Sequence, residues 1–289
     1  MRLAPDIPPS FDPARLATGE IRPLLSEYLF PEQHYCRLEV ENEKPFPIHL
    51  PDEEEEWATT ALHPIHPELA QELRQHVKFF DPSSVEVSFR KPEHALFKEP
   101  TRVLVELDDS GRKTPCFFKS FGIGGYFALG NKLENHLRVL KAALSADARV
   151  PRLRGVVVAE GGLVAGLLLT YVDARRENDG LLFADRLLYT PIPLRERWAS
   201  QIQETVAQLH GAGLVWGNAH DANVVIDKND DAWLIGLGGG RYTEGWVDKD
   251  KAGTKEGDLQ GVAKIVGQLR AGGPYEPLPW PDWDSDEDE

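Results

Sequence analysis

Four polar residues crowd one short stretch of this sequence: Asn218, His220, Asp221 and Asn223, within LVWGNAHDANVVID from Leu214 to Asp227. An imidazole, a carboxylate and two carboxamides grouped in one loop could transfer a proton or polarise a carbonyl without a metal ion. Histidine suits that work because its ordinary pKa lies near neutrality. Asp221 has two readings: a turn residue hydrogen-bonding to local backbone, or a substitute base or metal ligand turned toward a ligand. If the loop is enzymatic, these four are the candidate catalytic residues.

Other chemistry-bearing spacings carry less. His63 and His66 flank Pro64, and with no cysteine nearby they read as a loop before a helix rather than a metal pair; no metal site is expected. Gly238, Gly239 and Gly240 lack the strand-turn-helix context of a phosphate loop and are expected to form a mobile turn. Gly122 to Gly125, within FGIGGYF, fall short of a dinucleotide fingerprint and are expected to connect a hairpin to a helix. No Gly-x-Ser-x-Gly elbow and no Cys–His pair of recognisable spacing supports a hydrolase. The two cysteines, Cys36 and Cys116, are too few for a disulfide framework and read as ordinary buried thiols of a reducing compartment.

The elements that must position the loop follow from hydrophobic period. Residues 1–80 mix Pro-rich connections with two amphipathic stretches, Pro13 to Tyr28 and Pro67 to Phe80, and are expected as an appended extension. From residue 81 the pattern turns β-rich: SSVEVSF, RVLVELDD and PCFFKSF, the last two joined as a hairpin by an Asp-Asp-Ser-Gly turn. Asn131 to Leu144 carries Leu133, Leu137, Leu140 and Leu144 on one helical face, followed by strands GVVVA and AGLLLTYV joined at Glu160-Gly161-Gly162. Leu194 to Gly211 reads as a long amphipathic helix through Trp198, Ile202, Val206 and Leu209, with Gly211 as its C-cap. The polar loop comes next, running into a short strand pair with AWLIGLGGG, and a last helix spans roughly Gly257 to Leu269. This is an α+β pattern with a hinge near Tyr171 to Asp173.

At these positions the sequence resembles protein kinases. Leu214 to Asp227 is similar to the catalytic loop, whose pattern is HRD, four residues, then Asn; Trp233 to Gly239 resembles the strand and turn carrying DFG. Asn223 follows Asn218 by five residues and Gly236 follows Asn223 by thirteen, so the register fits without gaps. Phe117-Phe118-Lys119 resembles the strand bearing the kinase lysine, Glu134 its ion-pair partner, and Asp258-Leu-Gln-Gly261 the helix start whose Asp braces the loop. LLLTYV, PLRERWASQI, LVWGNAH and TEGWVDKD narrow the likeness to fungal kinase-like proteins, over about residues 85–270.

The resemblance implies a protein-kinase-like two-lobed fold with a shortened helical lobe: an N-terminal extension at 1–80, a β-rich lobe at 81–172, a helical lobe at 173–272 and an acidic tail at 273–289. It places a ligand-binding cleft at Lys119, Glu134, Tyr171, Val172, Asn223 and Gly236. With only about twenty residues after the last helix, the platform for protein substrates is expected to be reduced.

Four departures change the chemistry. Asn218 stands where the catalytic Asp would be, His220 where the loop Lys would be, Gly236 where the DFG Asp would be, and no G-x-G-x-x-G precedes Lys119. A base at the first position is worth roughly 10²- to 10⁴-fold, and neutral Asn218 cannot act as one. Mg²⁺ prefers carboxylate and phosphate oxygens, and Gly236 has no side chain. Use of Mg-ATP is therefore not expected. The resemblance then implies a pseudokinase that binds a partner or nucleotide without phosphoryl transfer. The alternative is a kinase-shaped enzyme doing metal-independent chemistry on a small molecule, with Lys119 opposite the loop; a third is a diverged active kinase rescued by Asp221.

Charge limits the partners. A formal charge of -15 argues against nucleic acid and anionic membrane surfaces, because phosphate contacts need clustered Lys and Arg. A small-molecule ligand or a protein partner remains. Acid concentrates at Asp52 to Glu56 and Asp282 to Glu289, both expected to be solvated, the second as a disordered tail. With no apolar run of membrane-helix length and no apolar signal core, a soluble, cytoplasmic protein is expected.

Overall fold

The computed structural model describes residues 13–19, 21–31, 36–41, 44–49, 62–89, 91–96, 98–121, 126–142, 144–174, 190–238 and 242–271. The acidic run at Asp52 to Glu56, the Gly122 to Gly125 connection, Gly239, Gly240 and the acidic tail lie outside the described residues, and the Cys36 side chain is likewise not described.

The helices are α1 (Pro13–Ala17), α2 (Leu25–Leu29), α3 (Pro67–Arg74), α4 (Tyr126–Lys141), α5 (Ile192–Gly211) and α6 (Lys255–Ala271). The strands are β1 (Cys36–Glu41), β2 (Lys44–His49), β3 (His63–Pro64), β4 (Lys78–Phe80), β5 (Glu86–Val87), β6 (Arg102–Glu106), β7 (Lys113–Ser120), β8 (Leu153–Val158), β9 (Leu163–Thr170), β10 (Val224–Ile226) and β11 (Ala232–Leu234). The chain is α+β and divides into two compact units, Met1–Gly130 with Leu153–Tyr171, and Asn131–Arg152 with Val172–Glu289. The chain passes from one unit to the other at Gly130/Asn131, Arg152/Leu153 and Tyr171/Val172.

The first unit is built on a seven-stranded sheet in the order β4-β8-β9-β7-β6-β5, with β3 also pairing β9. The β6–β7 hairpin sets Arg102 opposite Phe117 and Glu106 opposite Lys113. Strand alternation buries Val103, Val105, Cys116 and Phe118 on one face, with Phe117 and Lys119 on the other. Gly166 sits where a side chain cannot: a Cβ there would overlap the Phe118 ring and lie 2.6 Å from the Lys119 carbonyl oxygen. Burial pushes the Cys116 thiol up to about 11, the nearby Arg154 pulling the other way.

Residues before 81 take part in this sheet. Lys78–Phe80 pairs in parallel with β8, and Leu25, Leu29 and Phe80 enter its core. The helical pattern of Pro67 to Phe80 therefore stops at Arg74, because strand pairing and burial of Phe80 outweigh its helical spacing. In SSVEVSF only Glu86–Val87 is a strand: Asp81 Oδ1 accepts the Ser83 N–H at 2.8 Å and caps a one-turn 3₁₀ helix over Pro82–Ser84.

The second unit packs α5 against α6. Trp198, Ile202, Val206 and Leu209 from α5 meet Val262, Ile265, Val266 and Leu269 from α6 in one core, each such side chain contributing about 1.5–3 kcal/mol. The helix α5 includes Gly211 as its last residue. Its close is made by Gly213 at φ 72, with Leu214 N–H returning to Leu209 O at 2.9 Å. Among the described residues no helix is long and apolar enough to cross a membrane.

Candidate functional site

The polar loop leaves α5 and is held from below by one buried carboxylate. Asp258, 1% exposed near the start of α6, accepts the Trp216 and Gly217 backbone N–H groups, each at 2.7 Å, and lies 2.9 Å from His210 Nε2. Three partners satisfy a charge that would otherwise be costly in the core. Trp216 is fully buried and donates its indole N–H to the Ile235 carbonyl at 2.8 Å, tying the loop to the segment after β11. Gly238 N–H donates to the Trp216 carbonyl at 3.0 Å.

On this frame the loop's side chains converge. Asn223 Nδ2 is 2.9 Å from the Asn218 carbonyl oxygen and 2.8 Å from His220 Nε2. A carbonyl only accepts, so the Asn223 amide must present its nitrogen there, and that nitrogen then donates to His220 Nε2. The imidazole proton consequently sits on Nδ1, which lies 3.9 Å from Asp221 Oδ1. Burial holds the His220 pKa below its ordinary value, the Asp221 carboxylate opposing more weakly. His220 is therefore a neutral imidazole whose basic nitrogen is already engaged.

Asp221 opens a one-turn 3₁₀ helix, Asp221–Asn223, and its Oδ1 accepts the N–H of Ala222 at 2.7 Å. Asn218 is half-buried, and its Oδ1 is buried without a partner among the described residues. Gly236 has φ 74, and a Cβ there would lie 2.9 Å from Asn223 Oδ1. The magnesium site of a kinase does not fit this set. Position 236 supplies no side-chain oxygen, and Asn223 Oδ1 is one neutral donor where a hard dication seeks carboxylates. Among the described residues no three His, Cys, Asp or Glu side chains are placed to hold a metal ion.

The structure thus gathers Asn218, His220, Asp221, Asn223 and Gly236 in the second unit. Val172 is half-buried in the same unit and Glu134 is exposed on α4. Lys119 and Tyr171 belong to the first unit: Lys119 is half-buried on β7 opposite Leu167, and the Arg102 guanidinium lies 5.3 Å from the Tyr171 ring centroid. His63 is buried in β3 with its ring edge-on to Phe121, whereas His66 is exposed before α3, so the two do not form a pair.

Three residues of this site carry no role in the sequence reading. His210 contacts Asp258, Asn135 of α4 occupies the space over Gly238, and the Trp246 ring lies 6.3 Å from the His220 ring. Trp246 stood within TEGWVDKD, a motif without an assigned position. Its segment is pinned to α6 by Lys264 Nζ on the Gly245 carbonyl at 2.8 Å and by Asp248 N–H on Gln260 Oε1 at 2.9 Å. No protein-family model matches the chain, and no curated protein matches it.

Proposed function

We propose that this chain is a protein-kinase-like protein that binds a partner or a nucleotide without transferring phosphate. The observation that carries the reading is a loop whose bracing is complete and whose reactive groups are missing. Asp258 holds the Trp216 and Gly217 N–H groups, yet Asn218 is neutral and Gly236 has no side chain. The order β6, β7, α4, β8, β9, then α5, loop, β10, β11 and α6, supports the kinase-like assignment. Loss of the base alone would lower phosphoryl transfer by roughly 10²- to 10⁴-fold. The test is a thermal-shift titration with ATP, with and without Mg²⁺, alongside a phosphotransfer assay. Robust metal-dependent transfer would sink the proposal.

A second reading, metal-independent chemistry on a small molecule, draws on the neutral state of His220, which a general base needs. Against it stands the Asn223 donor on Nε2. Replacing His220 with Ala should abolish turnover of any substrate found while the fold is kept; unchanged turnover removes His220 from the mechanism.

A further inference from the structure

A lone pair of strands is marginal in water and gains from a third, and a strand whose edge is open is a template for pairing with another chain. The first unit holds such a pair apart from its seven-stranded sheet: β1 and β2 form an antiparallel sheet of their own. The register sets Val40 opposite Pro45 and Leu38 opposite Pro47. Proline has no N–H, so neither pair can exchange the two bonds of a hydrogen-bonded position. The ladder therefore closes through Glu41 with Lys44, Glu39 with Phe46 and Arg37 with Ile48.

The two edges of this hairpin differ as a result. Outward on β2 lie Pro45 and Pro47, which cannot donate to an incoming strand and so close that edge. Outward on β1 lie the backbone N–H and C=O groups of Leu38 and Val40, and β1 contains no proline. Val40 is 71% exposed, and among the described residues no strand pairs with this edge.

Charge selects the occupant. Strand alternation puts Arg37 and Glu39 on one face, where they pair with each other. Two neighbouring charges of opposite sign are complementary to the same two turned end for end. A second β1 laid antiparallel, Leu38 opposite Leu38, sets Arg37 of each copy opposite Glu39 of the other. The same register matches the outward backbone groups of Leu38 with Leu38, and those of Cys36 with Val40. Sliding either copy until Glu39 faces Glu39, or Arg37 faces Arg37, sets like charges opposite one another, which is destabilising.

We propose that the chain forms a two-fold dimer through the β1 edge, the two hairpins joining into one sheet in the order β2-β1-β1-β2. The contact closes on itself and leaves only the proline-bearing edges outside, so assembly stops at the dimer. With 6 residues to a side it is small beside a standard interface, and the dimer is weak and concentration-dependent. This goes beyond the reading of the polar loop and stands whether or not that reading holds.

The test is sedimentation equilibrium of the full chain from about 1 μM to about 1 mM, over which the mass should rise from monomer to dimer and no further. Hydrogen exchange along the same series should slow at the Leu38 and Val40 amides as the dimer forms. Glu39→Arg sets guanidinium against guanidinium across the two-fold axis and should raise the dissociation constant about tenfold or more. Adding Arg37→Glu to it restores opposite signs in the same register and should restore the dimer. Val40→Pro removes an outward N–H and spares the ladder, as Pro45 does on β2, and should leave the chain monomeric. Thermal melts report whether that variant keeps its fold; if it does not, the charge exchange still decides. A mass that stays monomeric throughout overturns the proposal, as do Leu38 and Val40 amides already protected in the monomer by another segment of the chain. A dimer that Glu39→Arg leaves intact, or that the double variant fails to restore, overturns it equally.

Discussion

Asn223 Nδ2 lies 2.8 Å from His220 Nε2, and the Asn218 carbonyl 2.9 Å from the same nitrogen dictates which way the amide faces. Protonating His220 would set an imidazolium N–H against an amide N–H, so the bond exists only with neutral histidine.

The pH dependence follows with a definite sign. The folded His220 pKa is lowered, so the unfolded chain takes up the proton first as pH falls through the ordinary histidine value. The neutral-form contribution is present above that value and is lost on acidification. Melting temperatures of the unmodified protein and of His220→Gln, compared from neutral to mildly acidic pH, should diverge, the variant losing less. Parallel curves would contradict the assignment of His220 as a neutral acceptor.

Removing the buried clamp should be among the costliest single changes in the second unit. Asp258→Ala leaves the Trp216 and Gly217 N–H groups without their acceptor in the core, an expected loss of about 3 kcal/mol in denaturant unfolding. Asp109→Ala, which breaks an exposed pair with Lys78, should change stability little. Comparable losses from both would mean that Asp258 does not brace the loop.

On the proposed kinase-like reading, placing a carboxylate at position 236 should not confer phosphate transfer. Gly236 has φ 74, where an L-residue is strained by about 1 kcal/mol, and the new Cβ crowds Asn223 Oδ1. Gly236→Asp is expected to melt at a lower temperature and to show no metal-dependent transfer, because Asn218 stays neutral. Transfer by the single variant would contradict the proposal that Asn218 keeps the loop from transferring phosphate.

In the first unit, Gly166→Ala tests close packing. The added methyl would overlap the Phe118 ring and press on the Lys119 carbonyl oxygen, which belongs to a hydrogen-bonded strand and cannot yield freely. Overpacking of this type costs about 2 kcal/mol, read as a lower denaturation midpoint. A neutral result would require β7 and β9 to separate without penalty.

Much of the fold was legible along the chain. The hairpin around Asp108 to Gly111, the strand pair either side of Glu160 to Gly162, the long helix through Trp198 and Leu209, and the β10–β11 pair all appear where hydrophobic period puts them. These elements draw on neighbours close in sequence, so period and turn chemistry report them directly. Phe80 shows the limit: its helical spacing from Val77 and Leu73 is genuine, but a parallel partner seventy-odd residues downstream, β8, made it a strand residue. Pairing over such a distance leaves no local trace.

The amino-acid sequence by itself determined which reactive groups this loop has and lacks, because Asn218 and Gly236 carry no ionisable side chain in any conformation. Tertiary structure decided the state of what remains. Whether His220 offers a free basic nitrogen depended on where Asn223 points, and that was settled by a backbone carbonyl. Whether Asp221 and Trp246 share a neighbour depended on Lys264 and Gln260 pinning the segment that bears the indole. Residue identity sets the available chemistry; three-dimensional packing sets protonation, partners and access, since these depend on distances that spacing along the chain does not encode.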